Sequence, residues 1–316
     1  MKNRRIILLV LLIATGFFTC RTTANDSITT VRKVPILNNH VFIPMDAEYS
    51  PFTGTNLRMR VGIAQTERIK YLALHLGDYE LLSLEGQILY SDMNLYYKQR
   101  VKNWLAMFVN FDFTARIGTE FSTLFAEGVN TVNEFSIGWL MRVYHSDKQI
   151  LSAKINISNF NAKIINFKNA FDNLANDTLV AVSQEVPALL GNIGVRYFYV
   201  PVKMIGIGLL ADLAYGETFV REKSSFFYTI GIKAELDLGS ITSIPLGIAL
   251  NYYIASPPSS IQVQNKDAQV AGFRLVYTGA NDFIISIGSS WGLIPVRSSD
   301  DPLNAYFGNI ELNYYF

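Results

Sequence analysis

The chain has 316 residues, and its 27 basic and 26 acidic side chains leave a formal net charge of +1. This balance excludes nucleic-acid binding driven by bulk charge, because such proteins carry a basic excess. Half of the residues are apolar and only 17% are charged, which excludes a largely disordered chain. A single cysteine excludes a disulfide framework and a cysteine-based zinc site.

The N-terminus has the features of a targeting segment. Residues 1–5 are basic, and residues 6–18 form an uninterrupted apolar stretch. This stretch is shorter than the roughly 20 residues that a membrane-spanning helix needs, so it predicts a signal peptide over residues 1–20. Cys20 follows at a position that resembles the lipidated cysteine of a bacterial lipoprotein, which implies lipidation there. The alternative is ordinary signal cleavage after Ala24.

Residues 30–80 fit the pattern of the later chain less well. Pro44, Pro51 and Gly54 lie in this part, and proline and glycine interrupt regular strands. We therefore interpret residues 21–56 as a periplasmic N-terminal segment that leads into the first strand.

From about residue 84 to the end, segments of 10–14 residues alternate between apolar and polar or small residues. In the last segment, Ile310, Leu312 and Tyr314 alternate with Asn309, Glu311 and Asn313. Successive strand residues point to opposite sides, so each such segment has one apolar and one polar face. The predicted strands cover residues 57–65, 83–97, 103–117, 134–145, 149–159, 190–200, 204–217, 226–239, 245–256, 268–279, 282–294 and 305–316.

The connections between these strands are alternately short and long. This arrangement predicts an all-β fold, a transmembrane up-and-down antiparallel barrel of about twelve strands spanning residues 57–316. The longest break, residues 160–189, is either an external loop or a helix that caps or plugs the barrel.

The charged strand residues favour a membrane barrel over a soluble, lipocalin-like one. They fall on the polar face, which is otherwise rich in small residues, and a basic side chain facing lipid at mid-depth costs about 2–4 kcal/mol. We therefore predict that the charged residues line the lumen. This lining comprises Asp112, Arg116, Arg142, Lys154, Arg196, Asp212, Lys233, Glu235, Arg274 and Glu311.

With its signal segment, repeated alternating strands and aromatic C-terminus at residues 313–316, the chain resembles bacterial outer-membrane β-barrel proteins of the Gram-negative type. The resemblance implies location in the outer membrane, with membrane lipid around the barrel. It also implies that the barrel-assembly machinery recognises the last strand, which ends at Phe316.

Basic and acidic residues are balanced in the predicted lining, and wide ion channels more often favour one sign. Twelve strands also give a bore between filled eight-stranded barrels and porins of 16–18 strands. We therefore predict a narrow or gated channel for small solutes, in which the lining charges screen permeants. The alternative is a non-transporting barrel that acts structurally or binds a partner through its long loops. A hydrolase ranks third, since no catalytic constellation, metal site or cofactor motif is evident.

Overall fold

The computed structural model describes most of the barrel and part of the N-terminal region. The described residues are 33–45, 50–76, 79–117, 128–165, 183–217, 224–256, 267–295 and 302–316. The predicted signal peptide and Cys20 lie outside these ranges, as does most of the loop predicted at 160–189. None of the helices in the described ranges is long and apolar enough to cross a membrane.

Twelve antiparallel strands form a closed barrel, which confirms the predicted fold class. Neighbouring strands pair in chain order, and the last strand pairs with the first barrel strand to close the cylinder. The strands are β1 (Ile36–Leu37), β2 (His40–Val41), β3 (Asn56–Thr66), β4 (Ile69–Leu76), β5 (Tyr79–Gly86), β6 (Leu89–Lys102), β7 (Leu105–Ile117), β8 (Gly128–His145), β9 (Gln149–Ile165), β10 (Ser183–Val202), β11 (Ile205–Gly216), β12 (Ser225–Asp237), β13 (Leu246–Ala255), β14 (Ala268–Tyr277), β15 (Phe283–Ile294) and β16 (Leu303–Tyr315). The barrel consists of β3 and β6–β16, while β1–β2 and β4–β5 are separate hairpins.

Two predicted boundaries differ from the structure. The predicted strand 83–97 is divided, because β5 belongs to a separate hairpin between β3 and β6. The break predicted at 160–189 is narrower, because β9 continues to Ile165 and β10 begins at Ser183. With 18, 17 and 20 residues, β8, β9 and β10 exceed the 9–11 residues that a membrane-spanning strand needs. They therefore extend the wall beyond the membrane on the long-loop side.

The outer surface of the barrel is apolar. Trp139 and Leu250 point outward and are 40% and 54% exposed, whereas charged strand residues such as Arg196 and Lys233 are buried on the lumen side. Exposed aromatic residues lie near both ends of the strands, as in the aromatic girdles of membrane barrels. One group is Trp104, Tyr144, Tyr277 and Phe316, and the other is Tyr215, Phe226, Trp291 and Tyr306. This apolar exterior is typical of an outer-membrane barrel.

Short turns lie at one end of the barrel and longer connections at the other. The short turns include residues 103–104, 146–148 and 203–204. In outer-membrane barrels this end faces the periplasm, so we refer to the two ends as periplasmic and external.

Residues 33–45 lie inside the lumen at the periplasmic end, and we call them the N-terminal plug. This placement differs from the periplasmic position predicted for residues 21–56. The physical reason is their composition: Val34, Leu37, Phe42 and Ile43 are buried, and a lumen that is wide enough allows them to leave water.

Candidate functional site

The N-terminal plug is a short hairpin built on a two-residue turn. Its strands pair Ile36 with Val41 and Leu37 with His40. Asn38 and Asn39 connect them with φ values of 51° and 60°, the left-handed conformation that a two-residue hairpin turn requires and that asparagine tolerates. The Asn38 side chain also donates a 3.1 Å hydrogen bond to the Val200 carbonyl at the end of β10.

Apolar side chains of the plug pack against two sides of the barrel wall. Phe42 packs edge-on against Phe198 and Phe52, with ring centroids 5.0 and 5.1 Å apart. A second cluster on the other side of the lumen joins plug residues to β11 and β13–β16. It comprises Val34, Val41, Ile43, Met45, Leu210, Ala249, Val276, Ile284 and Tyr315. The plug therefore spans the lumen instead of lying along one wall.

A wall glycine allows the plug to approach β11 closely. A Cβ atom on Gly206 would lie 2.5 Å from Cζ of Phe198 and 2.8 Å from Nε2 of His40. Both neighbours are buried rings with little freedom to move, so a side chain at this position would displace the plug.

Acidic side chains of β12 hold the plug backbone. Glu235 Oε2 accepts a 3.0 Å hydrogen bond from the Ile43 N–H, and Asp237 Oδ2 accepts one of 3.0 Å from the Val41 N–H. Lys233 Nζ lies 2.5 Å from Glu235 Oε1 and donates a 3.2 Å hydrogen bond to the Ile43 carbonyl. The same ammonium lies 3.7 Å from the centroid of the Phe42 ring. Lys233 therefore contacts both the Glu235 carboxylate and the apolar Phe42 ring of the plug.

His40 is completely buried and faces an acceptor on each ring nitrogen. Its Nε2 lies 2.9 Å from Glu235 Oε2, and its Nδ1 lies 3.0 Å from the Lys203 carbonyl oxygen. A carboxylate and a carbonyl can only accept hydrogen bonds, so the imidazole acts as a donor at this point of the plug.

Residues on either side of the undescribed stretch 46–49 continue the contacts with the wall. Arg274 Nη1 donates a 3.1 Å hydrogen bond to the Pro44 carbonyl. Ser152 Oγ donates to the Pro51 carbonyl at 2.5 Å, and Lys98 Nζ to the Phe52 carbonyl at 2.6 Å. These donors belong to β14, β9 and β6, so the chain is tied to widely separated parts of the wall before it enters β3.

Six of the residues predicted to line the lumen form pairs. Arg196 Nη2 lies 2.6 Å from Asp212 Oδ2, and Arg274 Nη1 lies 2.7 Å from Glu311 Oε2. The third pair is Lys233 with Glu235. Burial is nearly complete in these pairs, and Asp212 is the most exposed member, with 13% of its side chain accessible.

The other four predicted residues lie at different depths. Asp112 accepts hydrogen bonds from Asn94 and Asn110. Lys154 lies 5.8 Å from the centroid of the Phe108 ring. Arg142 lines a cavity of about 400 Å³ at the periplasmic rim, beside Lys33 of the plug. Arg116 is half-buried near the external end of β7, so the predicted set does not form one continuous ring.

Several buried or half-buried polar residues were missed by the sequence prediction. Arg58 and Arg60 of β3 contact the carboxylates of Glu311 and Asp92, with N···O distances of 3.7 and 3.0 Å. His40 was also missed. The alternation of β3 and β6 could have identified Arg58, Arg60 and Asp92. An apolar run around Asn38-Asn39, a favoured turn pair, was the available signal for the plug.

The external half of the lumen contains a cavity of about 190 Å³ directly beyond the plug. Its floor includes Met45, the last described residue of the plug. Side chains from β3, β6 and β13–β16 surround it. They include Arg60, Asp92, Asn251, Tyr253, Arg274, Ser290, Phe307 and Asn309.

A polar clamp joins the first and last barrel strands at the external rim. The Glu67 carboxylate accepts hydrogen bonds from the backbone N–H and the side-chain amide of Asn304, at 3.0 and 2.9 Å. These bonds hold the pKa of Glu67 below its ordinary value of 4.5, because they favour the charged carboxylate.

Comparison with known proteins shows the fold of this chain. No protein-family model matches it, and no curated protein matches it. The translocator domain of the autotransporter NalP from Neisseria meningitidis is a structural match at 12% identity and TM-score 0.50, covering 84% of this chain and 90% of that one.

Two further solved structures are also similar. The NanC porin matches at 10% identity and TM-score 0.48, covering 82% of this chain and 100% of that chain. The Pseudomonas putida toluene transporter TodX matches at 10% identity and TM-score 0.44, covering 83% and 90%. The match to the NalP translocator domain, together with the closed barrel and its apolar exterior, shows a chain with the fold of bacterial outer-membrane β-barrels.

Proposed function

We propose that the protein is a gated outer-membrane channel for small solutes, closed in this conformation by its own N-terminal plug. The observation that carries the proposal is how the plug is attached. Its backbone bonds to wall side chains such as Glu235 and Asp237, and the plug strands pair only with each other. The plug can therefore leave without breaking a strand pair of the wall.

The two halves of the lumen support this role. The plug crosses the periplasmic half and leaves a cavity only at its rim, while the external half holds a polar cavity that ends on Met45. A solute entering from outside would reach this cavity before it met the obstruction. The balanced charges of the wall favour passage of small solutes over strong selection for ions of one sign.

The role is proposed as non-enzymatic. Within the described ranges, no group of three or more His, Cys, Asp or Glu residues could hold a metal ion. His40 is already engaged by Glu235 and the Lys203 carbonyl. Of the structural neighbours named above, one is described as a porin and another as a toluene transporter.

Two parts of the proposal concern assembly. Phe316 is 58% exposed and packs edge-on against Tyr314, with ring centroids 4.9 Å apart. We propose that this exposed aromatic end is what the barrel-assembly machinery recognises.

Lipidation of Cys20, which would anchor the chain on the periplasmic side, stays a prediction.

Planar-bilayer recording tests the channel. The full chain should be closed for most of the recording, and a variant with residues 33–45 replaced by a Gly/Ser linker of equal length should conduct persistently. The linker keeps the tether and removes the packing and the turn, so the comparison isolates the plug.

Heat-modifiable migration in gels serves as the control for barrel folding. A folded plug-replacement variant that does not conduct would contradict the channel and favour the alternative, a barrel with a structural or partner-binding role. Liposome swelling with small neutral solutes then measures which of them pass.

A further inference from the structure

The external cavity has the dimensions of a site for one small solute. Its volume of about 190 Å³ equals about six waters at roughly 30 Å³ each. It lies below the 300–1,000 Å³ range of pockets for drug-sized ligands. Three inward-facing glycines, Gly62, Gly272 and Gly288, bring the backbone of β3, β14 and β15 to the cavity surface.

The charges around the cavity compensate one another. Arg60 lies 3.0 Å from Asp92 and 3.7 Å from Asp112, while Arg274 lies 2.7 Å from Glu311. Arg58 Nη1 lies 3.7 Å from the same Glu311 oxygen, Oε2. Among the described residues, three guanidinium groups therefore face three carboxylates, and an ionic solute would find no excess of the opposite charge there.

The remaining polar groups can both donate and accept hydrogen bonds. Asn251, Ser290 and Asn309 line the cavity, and amide and hydroxyl groups offer both functions. The Asn251 Oδ1 atom is buried against Gly272, where a Cβ atom would lie 2.1 Å from it. The Asn251 Nδ2 atom is not among the buried unpaired atoms of the described residues, so this amide N–H₂ group is the part of the side chain that can donate to a solute hydroxyl.

Phe307 adds an apolar surface beside these polar groups. An aromatic face suits the C–H side of a solute whose hydroxyls point elsewhere, since apolar contact and hydrogen bonding are then both satisfied. Met45 extends this surface from the plug, so an occupant of the cavity touches the gate itself.

Resting on the channel function proposed above, we infer that the cavity binds a small uncharged polyhydroxylated solute of monosaccharide size or smaller. Asn251 supplies the specificity-determining hydrogen bond. The ion pairs of the wall exclude carboxylate-bearing and ammonium-bearing analogues, because each would have to displace an existing partner.

Saturation-transfer NMR on the detergent-solubilised full chain tests this inference with three probes of similar size. These probes are sorbitol, which is neutral, gluconate, which is anionic, and N-methylglucamine, which is cationic. Sorbitol should bind at least tenfold more tightly than either charged probe. Equal or tighter binding of gluconate or N-methylglucamine would overturn the inference, and so would the absence of sorbitol binding.

Matched variants locate the site. Asn251→Leu should weaken sorbitol binding about tenfold, because the loss of one neutral hydrogen bond has this size. Asn192→Leu should leave it unchanged, since Asn192 lies on β10 outside the cavity and donates to Ser158 Oγ at 3.2 Å. Ser290→Phe fills the cavity with a ring and should abolish binding.

Binding and conduction are measured separately. If the folded plug-replacement variant conducts but sorbitol does not bind the full chain, the solute class is wrong and the channel stands. If sorbitol binds and the variant never conducts, the channel is wrong while the site stands.

Discussion

The two halves of the lumen have the same wall but different contents. On the periplasmic side, the plug residues Leu37 and Phe42 pack against β9 and β10, and Glu235 holds the plug backbone. On the external side, Arg60 and Asp92 form an ion pair beside the external cavity, and their side chains are 16% and 22% exposed. Most strands keep one alternation through both halves, and the register shifts of β8 lie near its two ends, between Val129 and Thr131 and between Arg142 and Tyr144.

This difference shows that lumen-facing polarity does not determine whether a barrel is open. Both halves contain paired charges, and among the described residues an apolar hairpin occupies only the periplasmic half. The free energy that closes it comes from burial of apolar side chains together with neutralisation of a buried charge cluster. Weakening either contribution should release the plug and leave the periplasmic half of the lumen open.

The largest effect is expected for Glu235→Gln. This change keeps the shape of the side chain but removes the charge opposite Lys233 and His40. Breaking a buried ion pair costs roughly 3–5 kcal/mol, which corresponds to more than about a hundredfold in the ratio of docked to undocked plug. We expect frequent or persistent openings in planar bilayers.

Asp112→Asn is the matching control in the external half. Asp112 is partly exposed, and Arg60 keeps Asp92 as a partner. The open probability of the Asp112→Asn variant should match that of the unmodified chain. A Glu235→Gln variant that stays as closed as this control would show that the charge cluster does not hold the plug.

Phe42→Ala should have the second-largest effect. Phe42 is completely buried between Phe198 and Phe52, and exposing such a ring costs about 1.5–3 kcal/mol. Docking should weaken by about tenfold to a hundredfold. Measurement of open probability checks this. Ile36→Ala, on the same hairpin at a position that is 39% exposed, should change little, and equal effects of the two would contradict a specific aromatic anchor.

The smallest effect is expected at the external rim, where pH should act on Glu67. Its pKa is lower in the folded chain than the ordinary 4.5, so its stabilising contribution is complete above pH 4.5. It is lost as the pH falls through the lowered pKa. Hydrogen exchange at the Asn304 amide should accelerate there. In the Glu67→Gln variant this acceleration should be absent. At low pH, neither the unmodified chain nor this variant should begin to conduct, because the plug stays in place.

The strands and their inward faces were predictable because strand alternation is a local property. Lys233 and Glu235, two residues apart on β12, share a face in any regular strand, and both are buried in the lumen. The plug was not predictable in the same way. Its hydrogen bonds join His40 to Glu235 across 195 positions of the chain, and no local pattern encodes that distance.

The amino-acid sequence by itself determined the cylinder: twelve alternating strands, an apolar exterior, and charges turned inward. It could do so because each strand carries its own period-two pattern, and lipid penalises every departure from it. Only the tertiary structure decided what occupies the bore. Whether residues 33–45 lie in water or in the lumen depends on a space that exists only after β16 has paired with β3 and the barrel has closed.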